Sequence, residues 1–168
     1  MTMVVKKIDA RDFLSKLTKL QIEDFPRAAR RGLGEAGIEL MRDTIQQEPT
    51  APRDIPAEER GESFHELWGS GAVFVENKKI KGSWYGDPIY QPEQVENPKP
   101  MTAQIVFGAP YAAQWHENLP KEGFTYSPAG IKFLENKLIG NISKYAGIIA
   151  KELQKAQRRH DIREAQKH

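Results

Sequence analysis

A long apolar stripe near the C-terminus constrains the fold of this chain more than any other feature. Between residues 131 and 156, apolar side chains recur every three or four positions, which keeps them on one side of an α-helix. The stripe predicts a helix over about residues 129–156, roughly 40 Å long, followed by a polar tail over residues 157–168 that frays. A small sheet cannot cover so long a helix, so we expect part of it to contact another subunit. The residues assigned to that contact are Ile142, Tyr145, Ile149 and Leu153.

Two shorter helical patterns lie near the N-terminus. The first covers residues 9–23, and Phe25-Pro26 then breaks it and begins a second helix, because proline is tolerated in a first turn. Three glycines fall between residues 32 and 37 of this second helix, and each costs helix propensity relative to alanine. They predict either a kink or the close approach of another backbone, with a merely loose helix as the alternative.

The middle of the chain has the pattern of a small sheet. Strands are predicted over residues 67–76, 80–85 and 102–108, with a turn at 77–79. Residues 86–100 contain four prolines and are predicted to form a loop. The predicted fold class is therefore α+β, with a small antiparallel sheet packed with an N-terminal helical segment and a long C-terminal helix. Residues 1–156 would form one domain.

A short aromatic and acidic run follows the third strand. Tyr111 and Trp115 are expected to pack, and Glu117 is expected to accept hydrogen bonds at this corner or at an interface. His116 stands beside Glu117 and suggests acid–base or metal chemistry, but a metal site needs three or four converging ligands, which the sequence does not offer here. The structural interpretation is preferred, with no catalytic, cofactor-binding or metal-binding residue assigned.

The order of these elements resembles that of the neck or tail-component proteins of long-tailed bacteriophages, which are small subunits of the joint between head and tail. The resemblance covers residues 25–155. Its counterparts in this chain are the helix 29–47, the proline-rich break 48–56, the segment 61–70 that enters a strand, the corner formed by Tyr111-Ala112 with Glu117, and the helix that opens at Lys132-Phe133-Leu134.

The resemblance implies a structural virion protein that acts in tail completion or head-tail joining. Such a protein would be made in the host cytoplasm and would self-assemble into a homo-oligomeric ring that docks between the phage connector and tail proteins. It would catalyse no reaction and need no cofactor, and it would meet nucleic acid only as DNA passing through the assembled channel. Besides the helix residues above, the interface candidates are Tyr111, Trp115, Glu117, Trp84, Tyr85 and Tyr90.

Charge is distributed unevenly along the chain. The net charge is only +2, but residues 1–31 carry eight basic side chains against four acidic ones, and residues 85–123 carry five acidic against two basic. Opposed charge on separate regions of a subunit can orient copies in a ring. Ordinary solvated helix faces are the alternative explanation.

Two other functions remain open. The aromatic residues Trp84, Tyr85 and Tyr90 lie near a lysine cluster at residues 78–81, a combination that could bind single-stranded nucleic acid. A hydrolase that uses His116 and Glu117 is the less favoured second alternative. The chain has no cysteine, which excludes disulfides and thiol chemistry. It also has no apolar run long enough for a signal peptide or a membrane span, so we expect no membrane partner.

Overall fold

A computed structural model of the chain describes residues 20–46, 67, 69–83, 90–110, 112–117 and 132–167. A π-helical turn, Leu20–Asp24, runs directly into helix α1, Phe25–Gln46. Three strands follow: β1, Gly71–Val75, β2, Lys78–Lys81, and β3, Ala103–Phe107. Three helices complete the described fold: α2, Ala112–Glu117, α3, Phe133–Gly140, and α4, Ile142–Ala165.

The sheet is antiparallel with the order β2-β1-β3, so the predicted α+β class is confirmed. All five residues of the central strand β1 are buried, which suits its run of small and β-branched side chains. Lysines at three of its four positions keep the edge strand β2 charged, a common protection against edge-to-edge pairing. The predicted third strand is confirmed within a residue at each end.

The turn between β1 and β2 was predicted at residues 77–79 but lies at Glu76-Asn77, so β2 begins at Lys78, two residues earlier than predicted. Glu76 has a left-handed backbone with φ of 58°. Its carboxylate accepts hydrogen bonds from Arg30 Nε at 2.9 Å and Met101 N at 3.1 Å. These two bonds, the Met101 amide first, hold the pKa of Glu76 below its usual value and fix the turn to its neighbours.

Helix α1 lies between the sheet on one side and α4 on the other. A Cβ on Gly37 would lie 2.6 Å from Val73 Cγ1 of the sheet, and a Cβ on Gly32 would lie 2.9 Å from Ile149 Cα of α4. The close approach of another backbone, predicted from the glycines, is thus confirmed at Gly32, and α1 continues without interruption through all three. Small side chains permit this spacing on both faces.

The C-terminal helix differs from its prediction in the middle and at its C-terminal end. One helix over residues 129–156 was expected, but the described part divides at Asn141 into α3 and α4. Gly140 is a weak helix former, and both the amide and the side-chain nitrogen of Asn141 donate to the Lys137 carbonyl. The three- or four-residue spacing of apolar side chains continues across this break, so the break cannot be predicted from that spacing.

The polar tail predicted from residue 157 is helical through Ala165. Sequence polarity misled the prediction because the one buried residue between positions 157 and 165, His160, is polar and is 5% exposed. The π-helical turn that begins at Leu20 overlaps the end of the first predicted helix, and residues 9–19 of that helix lie outside the described part.

Candidate assembly surfaces

Helix α2 is joined to the start of α3 by a polar clasp that consists of His116, Glu117 and Lys132. Lys132 Nζ lies 2.6 Å from Glu117 Oε2, and His116 Nδ1 lies 2.9 Å from Glu117 Oε1. The backbone adds a bond from Lys132 N to the His116 carbonyl at 2.7 Å. The left-handed conformation of Lys132, with φ of 56°, turns the chain into α3 at this point. Glu117 therefore accepts hydrogen bonds at the corner, as expected from the sequence.

Electrostatics in the clasp favour the charged forms of its acid and its base. Hydrogen bonds from Lys132 and then from His116 hold the pKa of Glu117 below its usual value, and the carboxylates of Glu117 and Glu135 raise the pKa of Lys132. Although they are adjacent in sequence, the side chains of His116 and Glu117 contact each other. A carboxylate neutralised by a lysine is poorly suited to take up a proton near neutral pH. No group of three potential metal ligands occurs among the described residues.

A cavity of about 280 Å³ lies beside this clasp, along β3. Its lining is apolar except at the clasp. Phe133 is one of the lining residues, and its ring makes edge-to-face contacts with Phe107 and His116, with ring centroids 5.6 and 5.1 Å apart. The described lining residues are Ile105, Val106, Phe107, Ala112, Ala113, His116, Glu117, Phe133 and Leu134. The arrangement joins the edge of the sheet to α2 and α3.

An exposed apolar patch lies where α3 meets α4. Leu138, Ile139 and Ile142 are 43%, 64% and 60% exposed. The break at Asn141 lies among them, and the buried residues on either side of it are Phe133 and Tyr145. The stripe that predicted one buried face is thus partly left on the surface, and we call these three residues the junction patch.

Polar contacts at three positions along their antiparallel packing join α4 to α1 and to the π-helical turn before it. At one end, the buried carboxylate of Asp43 accepts a hydrogen bond from the Tyr145 hydroxyl at 2.7 Å and contacts Lys144 Nζ at 2.8 Å. In the middle, Arg31 lies 3.5 Å from the buried carboxylate of Glu152. At the other end, Arg163 lies 2.6 Å from Asp24. These contacts fix the register of the two helices.

The pKa values of Tyr145, Lys144 and Glu152 shift in the directions that their partners favour. Burial first, and the Asp43 carboxylate second, raise the pKa of Tyr145 well above its usual value. Asp43 and Glu39 raise the pKa of Lys144. Lys155 and then Arg31 hold the pKa of Glu152 below its usual value, although burial opposes them. Near neutral pH Tyr145 is therefore protonated, and Lys144 and Glu152 are charged.

A cleft of about 450 Å³ opens between the start of α1 and the end of α4, and we call it the arginine cleft. Four arginines line it, two from each helix at a spacing of four residues, against a single lining carboxylate, Asp24. The described lining residues are Asp24, Arg27, Ala28, Arg31, Ala156, Arg159, Ile162 and Arg163. Sequence reasoning missed this site, although the i, i+4 arginine pairs were visible, because only the fold brings the two helix ends together.

The interface candidates from the sequence have different positions in the structure. Ile142 is exposed in the junction patch, and Tyr90 is 51% exposed. Tyr145 is 5% exposed within the subunit, so its assignment to a contact between subunits was wrong. Ile149 and Leu153 are half-buried, and Ile149 packs on α1. Trp84, Tyr85 and Tyr111 lie outside the described residues, as does the side chain of Trp115.

Comparisons with known proteins identify no relative of this chain. No protein-family model, curated protein or solved structure matches this chain. Within the described part of the structure, no helix is both long enough and apolar enough to cross a membrane.

Proposed function

We propose that this protein is a structural subunit of the head-tail connection of a long-tailed bacteriophage. It acts in neck assembly or tail completion by forming a ring of identical copies that docks between the head connector and the tail. Its role is assembly and docking, with no chemical reaction. The specific setting is taken from the resemblance of the sequence to neck and tail-component proteins.

The junction patch is the observation that best supports self-assembly of this protein. Leu138, Ile139 and Ile142 are adjacent apolar side chains with 43–64% of their surface in solvent. Burial of an isoleucine or leucine side chain contributes about 1.5–3 kcal/mol relative to exposure, so three together favour a partner surface. A subunit that closes into a ring uses two different surfaces at each contact, and this patch supplies one of them.

The test is the mass of the purified protein in solution, combined with electron microscopy of the assembly. The wild type is expected to form a closed oligomer with a central channel. In the double variant Ile139→Lys/Ile142→Lys, two charges must be desolvated at the contact, so its dissociation constant is expected to rise at least tenfold. Ile22→Lys is the matched control, because Ile22 is 68% exposed and lies outside the patch.

Two results would contradict the proposal. One is a wild type that remains monomeric at every concentration. The other is an assembly in which the patch variant and the Ile22→Lys control behave alike.

Nucleic-acid binding is the second candidate, and the arginine cleft is the observation that favours it. Four guanidinium groups at one site attract phosphates as readily as carboxylates. The lysines of β2 and the half-exposed Tyr90 add basic and aromatic surface elsewhere on the molecule. Binding of a labelled DNA duplex at physiological salt, lost on reversal of the cleft charges, would support this candidate.

A further inference from the structure

The arginine cleft holds more positive charge than the described part of the chain neutralises. Arg31 and Arg163 have carboxylate partners, Glu152 and Asp24. Arg27 and Arg159 line the same cleft from opposite helices, and neither forms an ion pair with any residue that the structure describes. Two guanidinium groups that share a cleft repel each other, and an anion between them would replace that repulsion with attraction. The cleft is thus suited to an anionic ligand.

Carboxylates fit this cleft better than the backbone of a duplex. The two native pairs in and beside the cleft are both between arginine and carboxylate, with N–O distances of 2.6 and 3.5 Å. Asp24 also stands in the lining and opposes a run of phosphates. The volume of about 450 Å³ is that of a pocket for a small ligand or a few side chains. Duplex DNA binds along extended basic surfaces instead.

The same chain carries exposed carboxylates on a different side of the molecule. In the loop of residues 90–100, Glu93 has a side chain that is 88% exposed, with a loose contact to Lys79 at 3.4 Å, and Glu96 is also exposed. The Gln91 side chain anchors the loop to the sheet by donating to the carbonyls of Gly69 and Gly71, both at 2.7 Å. Because α1 separates the sheet from α4, the end of the loop that carries Gln91 and Glu93 lies in a different layer from the arginine cleft.

We infer that the arginine cleft of one subunit binds the Glu93–Glu96 loop of a second copy. Such a contact joins two different surfaces of the same protein, which is the requirement for a ring rather than a closed dimer. The inference rests on the proposed function and deepens it, because it identifies charged surfaces through which neighbouring copies bind each other. Arg27 and Arg159 supply the unneutralised charge, and Glu93 and Glu96 supply the ligand carboxylates.

Charge reversal on the full-length chain tests this contact. Arg27→Glu/Arg159→Glu and Glu93→Arg/Glu96→Arg are each expected to raise the dissociation constant of assembly at least tenfold, as measured by sedimentation. All four positions are on the surface, so the fold should survive, and circular dichroism checks this. Mixed in equal amounts, the two variants should assemble again, because each acidic cleft then meets a basic loop and each basic cleft meets an acidic loop.

The outcomes separate this contact from the proposed function. A wild type that stays monomeric overturns both. A wild type that assembles while the reversal variants assemble equally well, or fail to rescue each other, overturns the contact alone. A cleft variant that assembles normally but loses binding to a labelled DNA duplex shows that the ligand is nucleic acid, which also overturns the contact.

Discussion

At the scale of single residues, Gly32 is tightly constrained by the backbone of the neighbouring helix α4. A Cβ there would lie 2.9 Å from the Cα of Ile149, a backbone atom that cannot move without its helix. Gly147, on the exposed side of α4, has nothing within 4 Å of the same position. The two helical glycines therefore differ only in what surrounds them, which makes them a matched pair.

Gly32→Ala is expected to lower the free energy of unfolding, and Gly147→Ala to raise it. Alanine gains roughly 1 kcal/mol of helix propensity at either site, but overpacking at Gly32 costs about 1–3 kcal/mol. Urea denaturation of both variants measures the difference. If Gly32→Ala were as stable as Gly147→Ala, the close contact between α1 and α4 would be disproved.

The Tyr145 hydroxyl gives a prediction about alkaline pH. Its pKa is raised in the folded state, so above about pH 10 the unfolded chain releases this proton while the folded chain keeps it. Stability must then fall as pH rises. Lys144, whose pKa is also raised, loses its contribution in the same direction.

Tyr145→Phe is expected to cost about 1.5–3 kcal/mol at neutral pH, because a hydrogen bond to a charged acceptor is lost. Between pH 10 and about 11.5 its stability should decline less steeply than that of the wild type, because one of the two raised groups is gone. Urea titrations across this range provide the measurement. Parallel pH profiles would show that the hydroxyl does not remain protonated in the folded protein.

At the scale of elements, the end of α4 makes a specific contact with the start of the described chain. His160 and Arg163 both approach the carboxylate of Asp24, at 3.6 and 2.6 Å, and the Asp24 side chain is only 13% exposed. The polar residues beyond Gln157 therefore continue the helix instead of fraying, because their partner is already in place on the neighbouring element.

Ending the chain after Gln157 is expected to lower the free energy of unfolding by about 1–3 kcal/mol, because Asp24 is left largely buried without its partners. A chain that ends after Ala165 is the control, since it retains the whole of α4. Thermal and urea unfolding of both forms would measure the loss. Equal stability of the two truncated proteins would mean that the Asp24 contact contributes nothing to the fold.

At the scale of the whole molecule, the sequence predicts its classes of element better than their arrangement. Periodicity predicted α1, β3 and the apolar stripe, because these depend on residues near one another in the chain. It also predicted β1, but it began this strand at residue 67, whereas the strand begins at Gly71 and Leu67 is helical. It could not predict the division at Asn141, where the apolar spacing continues. It also could not predict the arginine cleft, since Arg27 and Arg159 are distant in sequence and meet only through the fold. The glycines of α1 were informative because an unfavourable residue within a helix indicates, from the sequence alone, that another element packs closely against it.

The pairing of α1 with α4 also determines when the subunit can fold. It joins residues that are 101 to 139 positions apart in the chain, and such distant contacts form slowly because a long loop must close first. While the chain is being synthesised, the face of α1 that receives α4 stays bare until residues through Arg163 have left the ribosome. Each subunit must therefore complete its fold after this part of the chain is made. Finished subunits, and not nascent chains, are then the species available for assembly.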